Sequence, residues 1–213
     1  MTGTAPEVLG ALADLVVVSA LGLLVVRPVR WAVGLLVAQA VLIALMAVDA
    51  APGLEGWLAG GLIVATRAVA IPWVLRWAAR RTGSADALDL PAPWAWAIGA
   101  TLVLVGQLAL PAFATGLSPA HGALLSAAIV VLLLGLAGMV SGRLLMAQVV
   151  HLVVVENGLY CAGLALTGGL PAAMEVGAAL DLLLVIFVLA WLSHHVHRLD
   201  LPQNVDELSR LRG

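Results

Sequence analysis

Apolar residues run along this chain in seven long stretches that are separated by short polar connections. The stretches lie at about residues 8–26, 31–50, 56–78, 91–111, 120–140, 144–166 and 175–196. Each is roughly 20 residues long, which is the length that an α-helix needs to cross a hydrocarbon core of ~30 Å. The pattern therefore predicts an all-α, polytopic integral membrane protein with about seven transmembrane helices.

Composition supports this prediction and narrows the range of partners. Of the 213 residues, 63% are hydrophobic and 10% are charged, and a soluble domain with that balance would expose too much apolar surface. The net charge is −2 and every basic residue is an arginine, so the sequence offers no basic surface for nucleic acid. We expect the lipid bilayer to be the solvent and expect no nucleic-acid partner.

The arginines predict how the helices are oriented in the membrane. Nine of the ten lie in every second connection or in the C-terminal tail, and these are Arg27, Arg30, Arg76, Arg80, Arg81, Arg143, Arg198, Arg210 and Arg212. Because basic residues collect on the cytoplasmic side, the N-terminus should face outward and the C-terminus the cytoplasm. Glu7 and Asp14, with no basic residue before them, favour a first membrane helix over a signal peptide.

The tenth arginine, Arg67, lies near the middle of the third stretch. Pro72 follows five residues later, and its missing N–H leaves the carbonyl of Ala68 without its helical donor. A charge beside broken backbone hydrogen bonding is typical of a membrane helix that lines a polar cavity. The alternative is a kinked helix with Arg67 reaching to the membrane surface, which would require ~16 Å, more than the side chain can span.

Three further ionisable residues lie at depths compatible with Arg67. Glu156 is about 12 residues, or ~18 Å, from the inner end of the sixth stretch, and Asp181 is about six residues, or ~9 Å, from the outer end of the seventh. His151 precedes Glu156 on the same stretch. Burial and neighbouring charge can tune such groups to exchange protons near neutral pH, so the four predict a proton relay. The alternative is that they pair only to hold the helices together.

Other polar residues favour structural roles. Gln39, Gln107 and Gln148 are single amides in apolar stretches and predict hydrogen bonds between helices. His121 and the group at 194–197 lie at helix ends, where a solvated interface is favoured over a metal site. The single cysteine, Cys161, excludes an all-cysteine metal or iron–sulfur site, and no catalytic motif is present. We therefore expect no catalytic residue, cofactor or metal in this chain alone.

The sequence resembles component E of hydrogenase-4 type complexes, in the formate hydrogenlyase group. The segments that carry the resemblance are ATRAVAIPWVLRWAARR (65–81), ATGLSPA (114–120), SGR (141–143) followed by VVVENG (153–158), and the C-terminal section from EVGAALDLLLVIFVLAW to DELSRLRG. The last hundred residues also resemble subunit K of respiratory complex I and the C component of the multi-protein (Mrp) antiporters that exchange cations for protons. Glu156 and Asp181 lie near the membrane glutamates of subunit K, with Glu156 about one helical turn later.

The resemblance implies a four-helix extension at residues 1–112 and a three-helix domain, similar to subunit K, at residues 113–213. It also implies a multi-pass membrane-arm subunit of an energy-converting [NiFe] hydrogenase in a bacterial inner (plasma) membrane, beside antiporter-like subunits. Such a subunit would be non-catalytic by itself within an oxidoreductase complex, and would pass protons through Glu156, Asp181, His151 and Arg67. The alternatives are a subunit of a cation/proton antiporter, a free-standing transporter, and a structural scaffold.

Overall fold

A computed structural model describes residues 6–26, 28–51, 53–82, 92–109, 116–142 and 145–167, together with Phe187 and Trp191. All regular structure in these ranges is helical. The elements are α1 (Pro6–Val25), α2 (Val29–Ala50), α3 (Leu54–Ile63), a π-helical segment (Val64–Ala70), α4 (Ile71–Thr82), α5 (Ala92–Ala109), α6 (Pro119–Ser141) and α7 (Leu145–Thr167).

These helices confirm an all-α protein of the membrane-spanning type. Five candidate spans are long and apolar enough to cross a bilayer, and α3, the π-helical segment and α4 together form one of them. The fourth predicted stretch forms α5, an apolar helix of 18 residues. The seventh predicted stretch lies outside the described residues except for Phe187 and Trp191. The starts of α1 and α6 and the ends of α2 and α7 meet at one cavity, lined by Leu9, His121, Asp49 and Leu164, and we call this end of the bundle the N side.

Small residues let the helices approach closely. A Cβ atom added to Gly135 of α6 would lie 2.7 Å from the backbone nitrogen of Val155, and one added to Gly158 of α7 would lie 2.7 Å from the backbone nitrogen of Leu132. Gly60 packs in the same way against the side chain of Val48. Since real Cβ atoms are not found at such distances, these positions require glycine.

The centre of the bundle is formed by α1, α2, α6 and α7. Helix α1 packs against α2 and α6, and α2 also packs against α3, the π-helical segment and α7. The buried side chains are almost all aliphatic, such as Leu36 and Ile43 of α2 and Leu134 of α6. A few polar residues are buried among them, and the next section describes their arrangement.

Candidate functional site

Arg67 lies in the π-helical segment, at the point where the sequence predicts disturbed hydrogen bonding. The backbone N–H of Ile71 donates to the carbonyl of Thr66, five residues back, and Pro72 follows directly. The Thr66 hydroxyl donates to the carbonyls of Leu62, at 2.8 Å, and Ile63, at 3.4 Å. A π-helical turn widens the helix by one residue and is frequent at functional sites. Here it coincides with the buried arginine.

The guanidinium of Arg67 is buried and paired with Glu156 of α7. Its Nη2 atom donates to Oε1 of Glu156 at 2.7 Å. The side chain of Arg67 exposes 4% of its surface and that of Glu156 exposes 20%. Arg67 therefore lies inside the bundle, where it forms an ion pair with the carboxylate of Glu156.

A buried chain of hydrogen bonds continues from Arg67 to α1. Nη1 of Arg67 donates to Oδ1 of Asn157 at 2.5 Å, and Nδ2 of Asn157 donates to Oε1 of Gln39 at 2.8 Å. Nε2 of Gln39 then donates to the backbone carbonyl of Val16 at 3.3 Å. We call the side chains of Glu156, Arg67, Asn157 and Gln39, together with that carbonyl, the polar line. It runs from Glu156 of α7 to the π-helical segment, returns to α7 at Asn157, and continues through α2 to α1.

Two further side chains of α7 lie beside the guanidinium. The Cζ atom of Arg67 is 5.2 Å from the centroid of the Tyr160 ring, within the range of a cation–π interaction. Cys161 is a free, buried thiol near the same cation. The aromatic face gives the arginine a second stabilising contact that does not depend on the charge of Glu156.

His151 is buried, but it belongs to a different face of α7. Its Nδ1 atom is 2.8 Å from the carbonyl of Ala147, and its ring fills the space left by the missing side chain of Gly138. The Nε2 atom has no hydrogen-bond partner among the described residues. At about 100° per residue, His151 and Glu156 point about 140° apart around the helix. They share a band of depth, as the sequence predicts, while their side chains face different neighbours.

The remaining polar residues fall into two groups. Gln39 makes the hydrogen bonds between helices that the sequence predicts, whereas Gln148 donates to the carbonyl of Gly142, in the connection that precedes α7, at 3.2 Å. His121 stands at the start of α6, with Nδ1 at 2.7 Å from the hydroxyl of Ser118. Asp181, the side chain of Gln107 and residues 194–197 lie outside the part that the structure describes.

Sequence reasoning missed Asn157, the residue that joins the two halves of the polar line. The available signal was a second polar residue directly after Glu156 in an apolar helix, where an unsatisfied amide would be costly. Glu156 is conspicuous in the sequence because it is charged. The amide matters because it both accepts from Arg67 and donates to Gln39.

The chemistry that this arrangement allows is proton exchange at a carboxylate beside a fixed cation. Arginine keeps its proton in proteins, whereas a carboxylate can gain or lose one. The side chain of Glu156 exposes 20% of its surface, while its Oε2 atom is buried and its Oε1 atom accepts from Arg67. Arg67 is held from three sides and can keep its place when the charge of Glu156 changes.

Comparison with known proteins gives one consistent relationship. No family model and no solved structure matches the chain. Over 224 aligned residues, it is 29% identical to hydrogenase-4 component E of Escherichia coli K12, and the alignment covers 100% of both chains. Hydrogenase-4 component E of Shigella flexneri matches to the same extent. An uncharacterized protein of Mycobacterium tuberculosis is 29% identical over 161 residues, which cover 72% of this chain and 71% of the relative. The chain is thus similar to hydrogenase-4 component E along the whole alignment, in agreement with the resemblance of its motifs.

Proposed function

We propose that this chain is a membrane subunit of a hydrogenase complex and contributes ionisable residues to a proton path coupled to redox chemistry in other subunits. The homology to hydrogenase-4 component E supports the place in such a complex. The observation that carries the proton path is the Arg67–Glu156 ion pair, at 2.7 Å inside a largely apolar bundle. Charges at that depth are costly and are usually functional.

In this proposal Glu156 takes up and releases the proton, and Arg67 is its fixed counter-ion. When Glu156 is charged, the ion pair stabilises the carboxylate. When Glu156 gains a proton, Arg67 stays in place through Asn157 and the Tyr160 ring, and its uncompensated charge opposes the arrival of further cations. A change of charge in a neighbouring subunit would then shift the proton affinity of Glu156.

The other members of the relay keep their proposed roles. His151 would serve as a second proton site on the face of α7 toward α6, because its Nε2 atom is not engaged by any described residue. Asp181 would continue the path in the seventh stretch. The partners would be antiporter-like proteins of the membrane arm, in a bacterial inner membrane, and residues 113–213 would form the part similar to subunit K of complex I.

A structural scaffold is the second candidate, and the same ion pair favours it. Removing either member of a buried ion pair leaves the other charge without its partner. The intact pair therefore stabilises the folded bundle relative to a variant that lacks one member. A scaffold needs the polar line for assembly alone. A relay needs the carboxylate to change its protonation state. The two candidates therefore differ in what replacement of the carboxylate by its neutral amide should do.

The test replaces Glu156 by glutamine in the full complex. The amide oxygen of Glu156→Gln can still accept from Arg67, so the complex should assemble. Proton translocation per redox turnover should fall severalfold, because the glutamine amide cannot take up a proton near neutral pH. Translocation is measured in inverted membrane vesicles with hydrogenase activity followed in parallel.

The matched control is Glu55→Gln, which makes the same chemical change at an exposed position at the start of α3. It should leave both assembly and translocation unchanged. Normal translocation in Glu156→Gln would remove the relay, and loss of assembly with normal coupling in the remaining complexes would favour the scaffold.

A further inference from the structure

Helix α1 carries a carboxylate on its outward face. Asp14 is exposed, and it lies on a stripe with Glu7, Ala11 and Val18, which are exposed as well. Residues at these spacings share one side of a helix. The opposite side of α1, which includes the buried Val16, faces the core.

Asp14 lies well inside the apolar part of the bundle. It follows Pro6, the first residue of α1, by eight residues, or ~12 Å along the axis. On the N side, Leu9 of α1 lines a cavity of about 160 Å³ together with Asp49 and His121, which lie near the ends of their own helices. Asp14 is about 7.5 Å deeper than Leu9 and about 3 Å from the level of Val16, where the polar line ends.

The described part of the chain does not satisfy the carboxylate at that depth. Within the described residues, no hydrogen bond or ion pair involves the Asp14 side chain. Aspartate is too short to reach the membrane surface from there, whereas the longer basic side chains can do so near helix ends. An ionised carboxylate facing hydrocarbon is strongly disfavoured, so a polar or cationic group should cover it.

The cation cannot readily come from this polypeptide. In the predicted topology, nine arginines lie in connections on the side opposite the N-terminus or in the C-terminal tail, and the sequence has no lysine. The tenth, Arg67, is engaged by Glu156 and Asn157. A second copy of the chain would bring the same arginines at the same depths, so it would not supply the missing charge either.

We propose that the stripe around Asp14 docks a transmembrane helix of a different subunit, which places an arginine or lysine against the Asp14 carboxylate. This inference rests on the proposed place of the chain in a multi-subunit hydrogenase complex. Charge complementarity inside the membrane would fix which helix docks on α1 and at what depth, since a wrong partner would leave the carboxylate unpaired.

The first test is crosslinking in the intact complex. Photoreactive residues are introduced at Ala11 and Val18, one turn on either side of Asp14, with Leu45 on the exposed face of α2 as the control position. We expect both α1 positions to capture one membrane segment of another subunit that contains an arginine or lysine, and the Leu45 position not to capture it. Capture of lipid alone, of a second copy, of residues 168–213 of the same chain, or of a segment without a basic residue would overturn the inference.

The second test is charge reversal. Asp14→Arg should reduce co-purification with the hydrogenase subunits severalfold, and changing the captured basic residue to aspartate should restore it. Unchanged co-purification of Asp14→Arg, or no rescue by the reciprocal change, would contradict the pairing while leaving the proposed function intact. Failure of the unaltered chain to co-purify with any hydrogenase subunit would overturn both.

Discussion

Arg67 uses both ends of its guanidinium, and this explains why an arginine stands there. Nη2 donates to Glu156 while Nη1 donates to Asn157, so one planar group bridges a charged and a neutral acceptor. The rigid fork of arginine can hold two acceptors in fixed directions, whereas the ammonium of lysine acts as a single point charge. The arrangement of both acceptors on α7 therefore depends on one side chain in the π-helical segment.

Removing this cation should destabilise the bundle strongly. Arg67→Met keeps much of the length of the side chain but leaves Glu156 and Asn157 without their donor. Breaking a buried ion pair from one side costs about 3–5 kcal/mol, and we expect the free energy of unfolding to fall by that order. Denaturant titration of the detergent-solubilised protein measures it. Arg80→Met, at an exposed position near the end of α4, is the control, and equal stability of the two variants would contradict the role of the pair.

Asn157 and Gln39 should behave as one unit. Asn157→Leu removes the donor to Gln39, and Gln39→Leu removes the acceptor, so either change breaks the same 2.8 Å hydrogen bond. Bonded residues commonly show interaction energies of about 0.5–3 kcal/mol in a double-mutant cycle. We therefore expect the double variant to lose less stability than the sum of the single variants. Strict additivity, measured by the same denaturant titration, would show that the polar line is not continuous at this point.

Arg67 and Glu156 could be predicted from the sequence because they are charged. The other contacts of the site depend on how the helices pack. A charged residue in an apolar stretch stands out because its cost is large whatever its neighbours are. Asn157 and Gln39 are neutral, and only the three-dimensional contact between α7 and α2 makes them members of one network. The sequence placed His151 in the same band as Glu156, but the direction of its side chain follows from the contact between α6 and α7.

At the scale of the helices, glycine determines how α6 and α7 meet. A Cβ atom at Gly138 would overlap the ring of His151, so the ring occupies the place where a side chain of α6 would otherwise lie. This spacing was visible in the sequence as a pair of small residues, Gly135 and Gly138. The identity of the side chain that fills the gap was not, because no local pattern specifies which residue of α7 comes opposite.

Filling that gap should disturb the helix pair. Gly138→Ala should force the His151 ring or the whole of α7 to move, at a cost of about 1–3 kcal/mol typical of an overpacked core. Gly34→Ala in α2, where an added Cβ meets nothing within 4 Å, should leave stability near its original value. Thermal unfolding of both variants in detergent gives the comparison. A Gly138→Ala protein as stable as Gly34→Ala would mean that the two helices are not held at this distance.

The π-helical segment was foreseen only in part. Pro72 predicts a missing hydrogen bond because it has no N–H. Whether the chain responds with a kink or with an added residue in the turn depends on local compensation, and here the Thr66 hydroxyl satisfies carbonyls in the preceding turn. The helical character of the apolar stretches was easier to predict, since the length of such a stretch follows directly from the thickness of the membrane.

At the scale of the whole molecule, the polar line joins two parts that the sequence assigns to different domains. Val16, Gln39 and Arg67 belong to the predicted extension at residues 1–112, and Asn157 and Glu156 belong to residues 113–213. Helices α1 and α6, one from each part, also pack together in the core. The extension therefore supplies the counter-ion of the proposed proton carrier.

This shared core predicts that neither part is stable alone. Residues 113–213 expressed without the extension would leave Glu156 and Asn157 without Arg67 and would expose the face of α6 that packs against α1. We expect each fragment alone to accumulate poorly in the membrane, and the two expressed together to recover a stable complex, as measured by membrane-fraction yield and co-purification. The full-length chain is the reference. Normal accumulation of residues 113–213 alone would contradict this expectation and support an independent domain.

The burial of the one thiol, Cys161, makes the native chain a ready background for chemical mapping. Cys161 lies in α7, and its side chain is buried near the guanidinium of Arg67. Water-soluble maleimides should therefore not reach it in the folded protein. A cysteine introduced at an exposed helix end, such as Glu55 or Arg80, would then be the one accessible sulfhydryl among the described residues. Labelling intact cells with an impermeant reagent would therefore report the orientation of the chain without a preliminary cysteine-free variant.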